Sequence, residues 1–233
     1  MADIPSSGSG LGSSSALLIG IIKALSHYNK LNNLDLVKRA YHIEKSRLKK
    51  KIGLQDACSC AFGGLNHFNF KQNGKITVSK INIEQKKVKN LKNNLLLFYT
   101  GINRKAEKIL NNIRIEKNKK NIYELSQLAL EFKNELVSKN GNDLGKIIHE
   151  SWIIKKKLDK NVSSSFINEI YDTALKSGAE GGKILGAGGG GYFLFFAQPK
   201  YHKIIEKKLK KLFKVKFDFE NNGSKIIYND GNW

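Results

Sequence analysis

The chain has 233 residues, 40% of them hydrophobic, enough for one large or two small domains with their own cores. Its formal charge is +21, yet all but four of the 41 basic residues are lysines (the arginines are Arg39, Arg47, Arg104 and Arg114). That shortage of arginine, the better bidentate ligand of phosphates and bases, argues against a nucleic-acid-binding module, and the absence of a bilayer-length apolar run or a signal peptide points to a cytosolic protein without a membrane partner.

The first motif in chain order is Pro5-Ser6-Ser7-Gly8-Ser9-Gly10-Leu11-Gly12-Ser13-Ser14-Ser15, which runs directly into Ala16-Leu17-Leu18-Ile19. It reads as a glycine-rich loop opening a helix over 13–29, with Leu17, Ile21, Ala24, Leu25 and Tyr28 at helical spacing. Glycine admits close approach of a ligand, and the first N–H groups of a helix lack internal acceptors. Together with the helix dipole, that suits an anion such as a polyphosphate. The hydroxyls of Ser13, Ser14 and Ser15 can cap the helix or reach a metal ion. The loop has neither the Gly-Lys-Ser/Thr ending of a Walker A motif nor the preceding strand of a dinucleotide fingerprint.

A second helix is predicted from Leu34 to about Leu48, with Leu36, Val37, Ala40, Tyr41, Ile43 and Glu44 facing inward, and a short one over 54–61. Strands follow at about 64–70 and 75–83 around the turn Gln72-Asn73-Gly74, and at Asn94–Tyr99. Helices are expected near 103–112, 120–139, 143–158 and 163–177. The chain then returns to strands at 183–186 and 192–197, a helix at 199–212, and strands at 214–219 and 224–228. A domain junction is expected near 100–102, dividing the chain into 1–101 and 102–233. The strand–helix–strand ending suits a ferredoxin-like α+β domain.

Between the strands expected at 183–186 and 192–197 lies a second glycine cluster, Lys183-Ile184-Leu185-Gly186-Ala187-Gly188-Gly189-Gly190-Gly191. Four consecutive glycines carry an entropic cost that a plain hairpin does not require, so another backbone or a ligand is expected against them. Cys58 and Cys60 are too close for an easy disulfide and complete no zinc site, so both read as small buried residues. The five histidines show no metal-ligand spacing.

Pro5 to Ser14 and Lys183 to Gly191 resemble the second and third motifs of the GHMP kinases. Gly53-Leu54-Gln55-Asp56 resembles the family's catalytic aspartate region, and Asn94–Gly101 and His149–Lys155 resemble later family segments. The resemblance is closest to the branch acting on D-glycero-α-D-manno-heptose 7-phosphate. It implies a partial ribosomal S5-like N-terminal domain followed by a ferredoxin-like C-terminal domain. It also implies ATP and Mg²⁺ as cofactors, and phosphorylation of the sugar's anomeric hydroxyl in the supply of activated heptose for surface glycans. Ser7, Gly8, Ser9, Gly10, Leu11, Gly12, Ser13, Ser14, Gly188 and Gly189 would bind the nucleotide, Ser14 and Glu44 the metal, and Asp56 would act as general base. Lys183, Thr100, Arg104 and Lys105 are further candidates for phosphate contacts. The family's first motif, on strands ahead of the phosphate loop, has no counterpart in residues 1–4. The chain is therefore expected to be a fragment, a remnant, or a polypeptide completed by a partner, with homodimerisation left open. The competing readings are another GHMP sugar kinase, fucokinase-like, and a non-catalytic binding module.

Overall fold

The computed structural model describes residues 10–26, 31–103, 106–138 and 143–228, which pack into two units. Among the described residues, one unit comprises 12–80 with 219–228, and the other 10–11 with 81–218. No described helix is long and apolar enough to cross a membrane.

The first unit begins with α1 (Ser13–Leu25), α2 (Asn33–His42) and α3 (Gln55–Phe62). The Asn32 side chain accepts the Asp35 N–H at 3.0 Å and so caps the start of α2. The three helices share a core of Ile19, Ile22, Leu36, Val37, Ala40, Ala57, Cys58 and Ala61. The face of α1 therefore differs from the expected one: Ile19 and Ile22 point inward, while Leu17, Ile21 and Leu25 are exposed. The segment is apolar almost all round, so period alone does not choose a side. The expected single helix over 34–48 changes pitch at Ile43–Arg47, which forms a π-turn.

A hairpin of β1 (Asn66–Phe70) and β2 (Ile76–Lys80) follows, in the register Phe68↔Val78. Its turn is closed by the Gly74 N–H to Lys71 O bond at 2.9 Å, with Gly74 at φ 79. Residues 224–228 form no strand, contrary to the expectation from sequence. The returning chain instead runs past the end of α3, where Gly64 N–H donates to Glu220 O at 2.7 Å.

The second unit holds α4 (Gln85–Asn93), β3 (Leu95–Tyr99), α5 (Ala106–Asn112), α6 (Lys119–Val137), α7 (Leu144–Lys156) and α8 (Ser165–Lys176). It closes with β4 (Ala179–Ile184), β5 (Tyr192–Ala197), α9 (Pro199–Lys208) and β6 (Phe213–Val215). The sheet order is β4-β5-β3-β6 and every neighbouring pair is antiparallel. This is the ferredoxin-like β-α-β-β-α-β arrangement with its first connection expanded to α5–α8. The junction expected near 100–102 would leave Leu95–Tyr99 with the N-terminal part. The strand lies in the second unit because it joins β5 to β6.

Trp152 of α7, Tyr171 of α8, and Phe193 and Phe195 of β5 form the centre of the second core. The Phe193 and Phe195 rings stack at 4.4 Å, and Tyr171 stacks on Phe193 at 5.8 Å. Each such ring, fully removed from water, contributes about 1.5–3 kcal/mol. Small residues bring α7 directly against β4: a side chain on Gly181 would overlap the Gly145 carbonyl. This contact fixes the strand that leads into the glycine cluster.

Candidate active site

In the first unit the chain reaches α1 through Gly12, whose φ of 71 lies in the left-handed region. The N-cap position is a glycine and so contributes no side-chain cap of its own. Ser14, in that turn, donates from Oγ to Glu44 Oε1 at 3.1 Å. Glu44 sits in the π-turn at only 2% exposure, and its second oxygen, Oε2, is buried without a hydrogen-bond partner. A buried, half-satisfied carboxylate is costly, and π-turns occur often at functional sites.

Lys50 completes the cluster. Its ammonium donates to Ser14 Oγ at 3.2 Å and lies 3.5 Å from Glu44 Oε1. Asp56 occupies the second position of α3, exposed, where an acidic side chain complements the helix dipole. It is not the N-cap, a position held by Leu54. Asp56 also stands against Gly12: a Cβ built there would come within 3.4 Å of the Asp56 Cβ. Cys60, one turn further along α3, has its Sγ 4.0 Å from Gly12 O. Burial, then Asp56, then Glu44 push the Cys60 thiol up to about 11. Both carboxylates are thus felt at one point beside the start of α1.

In the second unit the glycine cluster links β4 to β5 and is tied at three places. Lys155 of α7 donates to Ile184 O at 2.8 Å and to Gly186 O at 2.6 Å. Gly189 N–H donates to Val162 O at 2.7 Å. Gly191 N–H donates to Ile102 O at 2.9 Å, while its own carbonyl accepts from the Thr100 N–H and hydroxyl. Gly188, at φ 101, has no room for a side chain: its Cβ would meet Val162 Cγ1 and O at 2.8 Å. The packing partner expected from four glycines is therefore protein backbone.

Residues 2–64 match the GHMP kinases N terminal domain, and residues 131–215 the GHMP kinases C terminal domain. The chain is 33% identical to D-glycero-alpha-D-manno-heptose 7-phosphate kinase of Campylobacter jejuni, over 96% of its own length and 68% of that protein. The chain belongs to the GHMP kinases. It is also 30% identical to mevalonate kinase of Methanocaldococcus jannaschii, covering 87% of this chain and 62% of that one. Among solved structures, a D-glycero-D-manno-heptose 1-phosphate kinase from Bacteroides thetaiotaomicron superposes with a TM-score of 0.74 at 26% identity. That match covers 96% of this chain and 65% of the other. The chain thus spans about two thirds of the length of these GHMP kinases.

Of the residues nominated from the sequence, Gly12, Ser14, Glu44 and Asp56 come together in the first unit. Ser13 begins α1 beside them, and Gly10 and Leu11 precede it. Gly188 and Gly189 lie in the second unit's loop. Ser7, Gly8, Ser9, Arg104 and Lys105 fall outside the described residues. Thr100 is buried, with its hydroxyl on Gly191 O, and serves the loop itself. Lys183 is half-buried on β4, and desolvation lowers its ammonium below the ordinary value.

Sequence reasoning misses Lys50 and Lys155. Lys50 is one of three consecutive lysines and nothing in the run distinguishes it. Lys155 falls inside the family-like segment His149–Lys155, but its two carbonyl bonds depend on how α7 lies along β4.

The donor set fits Mg²⁺, which takes hard oxygen ligands and commonly one or two protein groups beside waters and phosphates. Glu44 Oε2 is a buried oxygen with no other use, and Ser14 Oγ is held beside Oε1. Glu44 and Ser14 are the residues that would hold such an ion here.

Proposed function

We propose that the chain carries out ATP-dependent phosphorylation of a sugar phosphate at the anomeric hydroxyl, with D-glycero-α-D-manno-heptose 7-phosphate as the substrate. The observation that carries this reading is the junction of Ser14, Glu44 and Asp56 at the start of α1. Family membership supplies the reaction class, and the two heptose kinase relatives point to the sugar. The mevalonate kinase likeness is equally part of the family but names a substrate without a sugar ring.

In this reading Gly10–Ser14, with Ser7, Gly8 and Ser9 ahead of them, bind the nucleotide. Backbone N–H groups and the α1 dipole attract its phosphates. Ser14 and Glu44 hold Mg²⁺, which when bound neutralises charge on the phosphate oxygens. The Asp56 carboxylate orients the sugar hydroxyl and accepts its proton as that oxygen bonds to the γ-phosphorus. The bond from the γ-phosphorus to the β,γ-bridging oxygen breaks, and ADP leaves. The reaction belongs in the cytoplasm, where ATP is available.

The test is Asp56→Asn, which keeps shape and removes the base. Turnover is expected to fall by about two to four orders of magnitude while nucleotide affinity holds. Near-normal turnover in that variant contradicts the role.

A further inference from the structure

The Ser14–Glu44 pair is not the whole of the proposed metal site, because a protein cation already stands in it. Lys50 Nζ touches both proposed ligands, at 3.2 Å from Ser14 Oγ and 3.5 Å from Glu44 Oε1. Its backbone is built to reach them. Lys50 N–H donates to Glu44 O at 2.9 Å across the end of the π-turn. Among the described residues, Lys49 is the one non-glycine residue at positive φ, 51, a conformation that L-residues avoid and that folds the chain back here. The side chains differ in exposure: Glu44 is 3% exposed and Lys50 is 40%. The acid is fixed and the ammonium has a path to water.

We propose that Lys50 is an exchangeable internal cation: it neutralises Glu44 when no metal is present and is displaced when a divalent cation binds Ser14 and Glu44. A buried carboxylate left without a counter-charge would be heavily penalised, and an ammonium on a flexible stem supplies one at low cost. A divalent cation on the same two oxygens cannot share them with that ammonium, since both are positive and would lie within a few ångströms of each other. Metal affinity is then a competition, and Lys50 sets its level. The inference rests on the metal reading of Ser14 and Glu44 and adds the residue that tunes it.

The experiment measures Mn²⁺ binding to the full chain, without nucleotide, by electron paramagnetic resonance and calorimetry. Wild type, Lys50→Met, Lys50→Arg and Glu44→Gln are compared. Lys50→Met is expected to bind Mn²⁺ about fivefold more tightly, the equivalent of one favourable half-exposed ion pair that no longer has to be broken. Lys50→Arg keeps a cation and is expected within about twofold of wild type. Glu44→Gln is expected to lose the site. Unchanged or weaker binding in Lys50→Met overturns the exchange, and loss in Glu44→Gln alongside it leaves the metal reading standing. Binding indifferent to Glu44→Gln, or absent in every variant, overturns the metal reading and the exchange with it.

Discussion

Replacing Gly188 by alanine tests whether the glycine cluster is locked by backbone packing. Two costs are expected. At φ 101 a side chain is strained by about 1–2 kcal/mol. The new Cβ would also come within 2.8 Å of Val162 Cγ1 and O and 3.0 Å of its Cα, an overlap with backbone that cannot rotate away. Overpacking of this kind costs about 1–3 kcal/mol, so the total is about 2–5 kcal/mol. Gly74→Ala supplies the control. Gly74 is at φ 79, and a methyl added there would meet nothing within 4 Å, so it bears the conformational cost alone. Urea unfolding of both variants, followed by circular dichroism, should separate them by about 1–3 kcal/mol. If Gly188→Ala loses no more than Gly74→Ala, the loop is not seated on Val162 and the run of glycines needs another explanation.

The remaining predictions concern the clamp and the thiols. Lys155→Met removes both bonds from α7 to the loop and leaves the Ile184 carbonyl, in a buried residue, without that donor. A loss of about 1–3 kcal/mol is expected, with faster amide exchange confined mainly to Gly186–Gly191. Uniform exchange across the chain would contradict the clamp. Burial holds the Cys58 thiol up at about 11, and burial with Asp56 and Glu44 does the same for Cys60. Both should therefore alkylate at pH 8 about a hundredfold more slowly than a free thiol, because the thiolate is that much rarer. The sign for stability follows: a raised thiol pKa leaves stability intact below pH 9 and erodes it as pH rises toward 11. Chemical unfolding measured at pH 8 and pH 10 checks this, and equal stability at both would refute it.

Much of the fold is legible because apolar residues recur at 3.6 or 2 along the chain, and the glycine clusters punctuate it. The failures have local causes. Gln85–Asn93 is a helix with only Val88 and Leu91 as apolar residues, so periodicity does not announce it. β4 starts at Ala179 rather than 183: Gly181 and Gly182, which carry no strand-forming side chain, are strand positions emptied of side chains by α7 and Phe195. The inward placement of Glu44 follows from its apolar neighbours, but its π-turn and the return of Lys50 depend on a backbone kink at Lys49 that composition does not encode. Motif residues survive translation into structure best where they are close in space within one unit, as Gly12, Ser14, Glu44 and Asp56 are. Ser14 and Glu44 are 30 residues apart, and only folding makes them a pair.

The proposed activity is tested most directly by ³¹P nuclear magnetic resonance of the full chain with Mg-ATP and D-glycero-α-D-manno-heptose 7-phosphate. The account predicts ADP resonances together with a new sugar phosphate resonance coupled to the anomeric proton, abolished in Asp56→Asn. An unaltered heptose 7-phosphate spectrum, with phosphate transferred instead to an unphosphorylated sugar such as fucose, would contradict it.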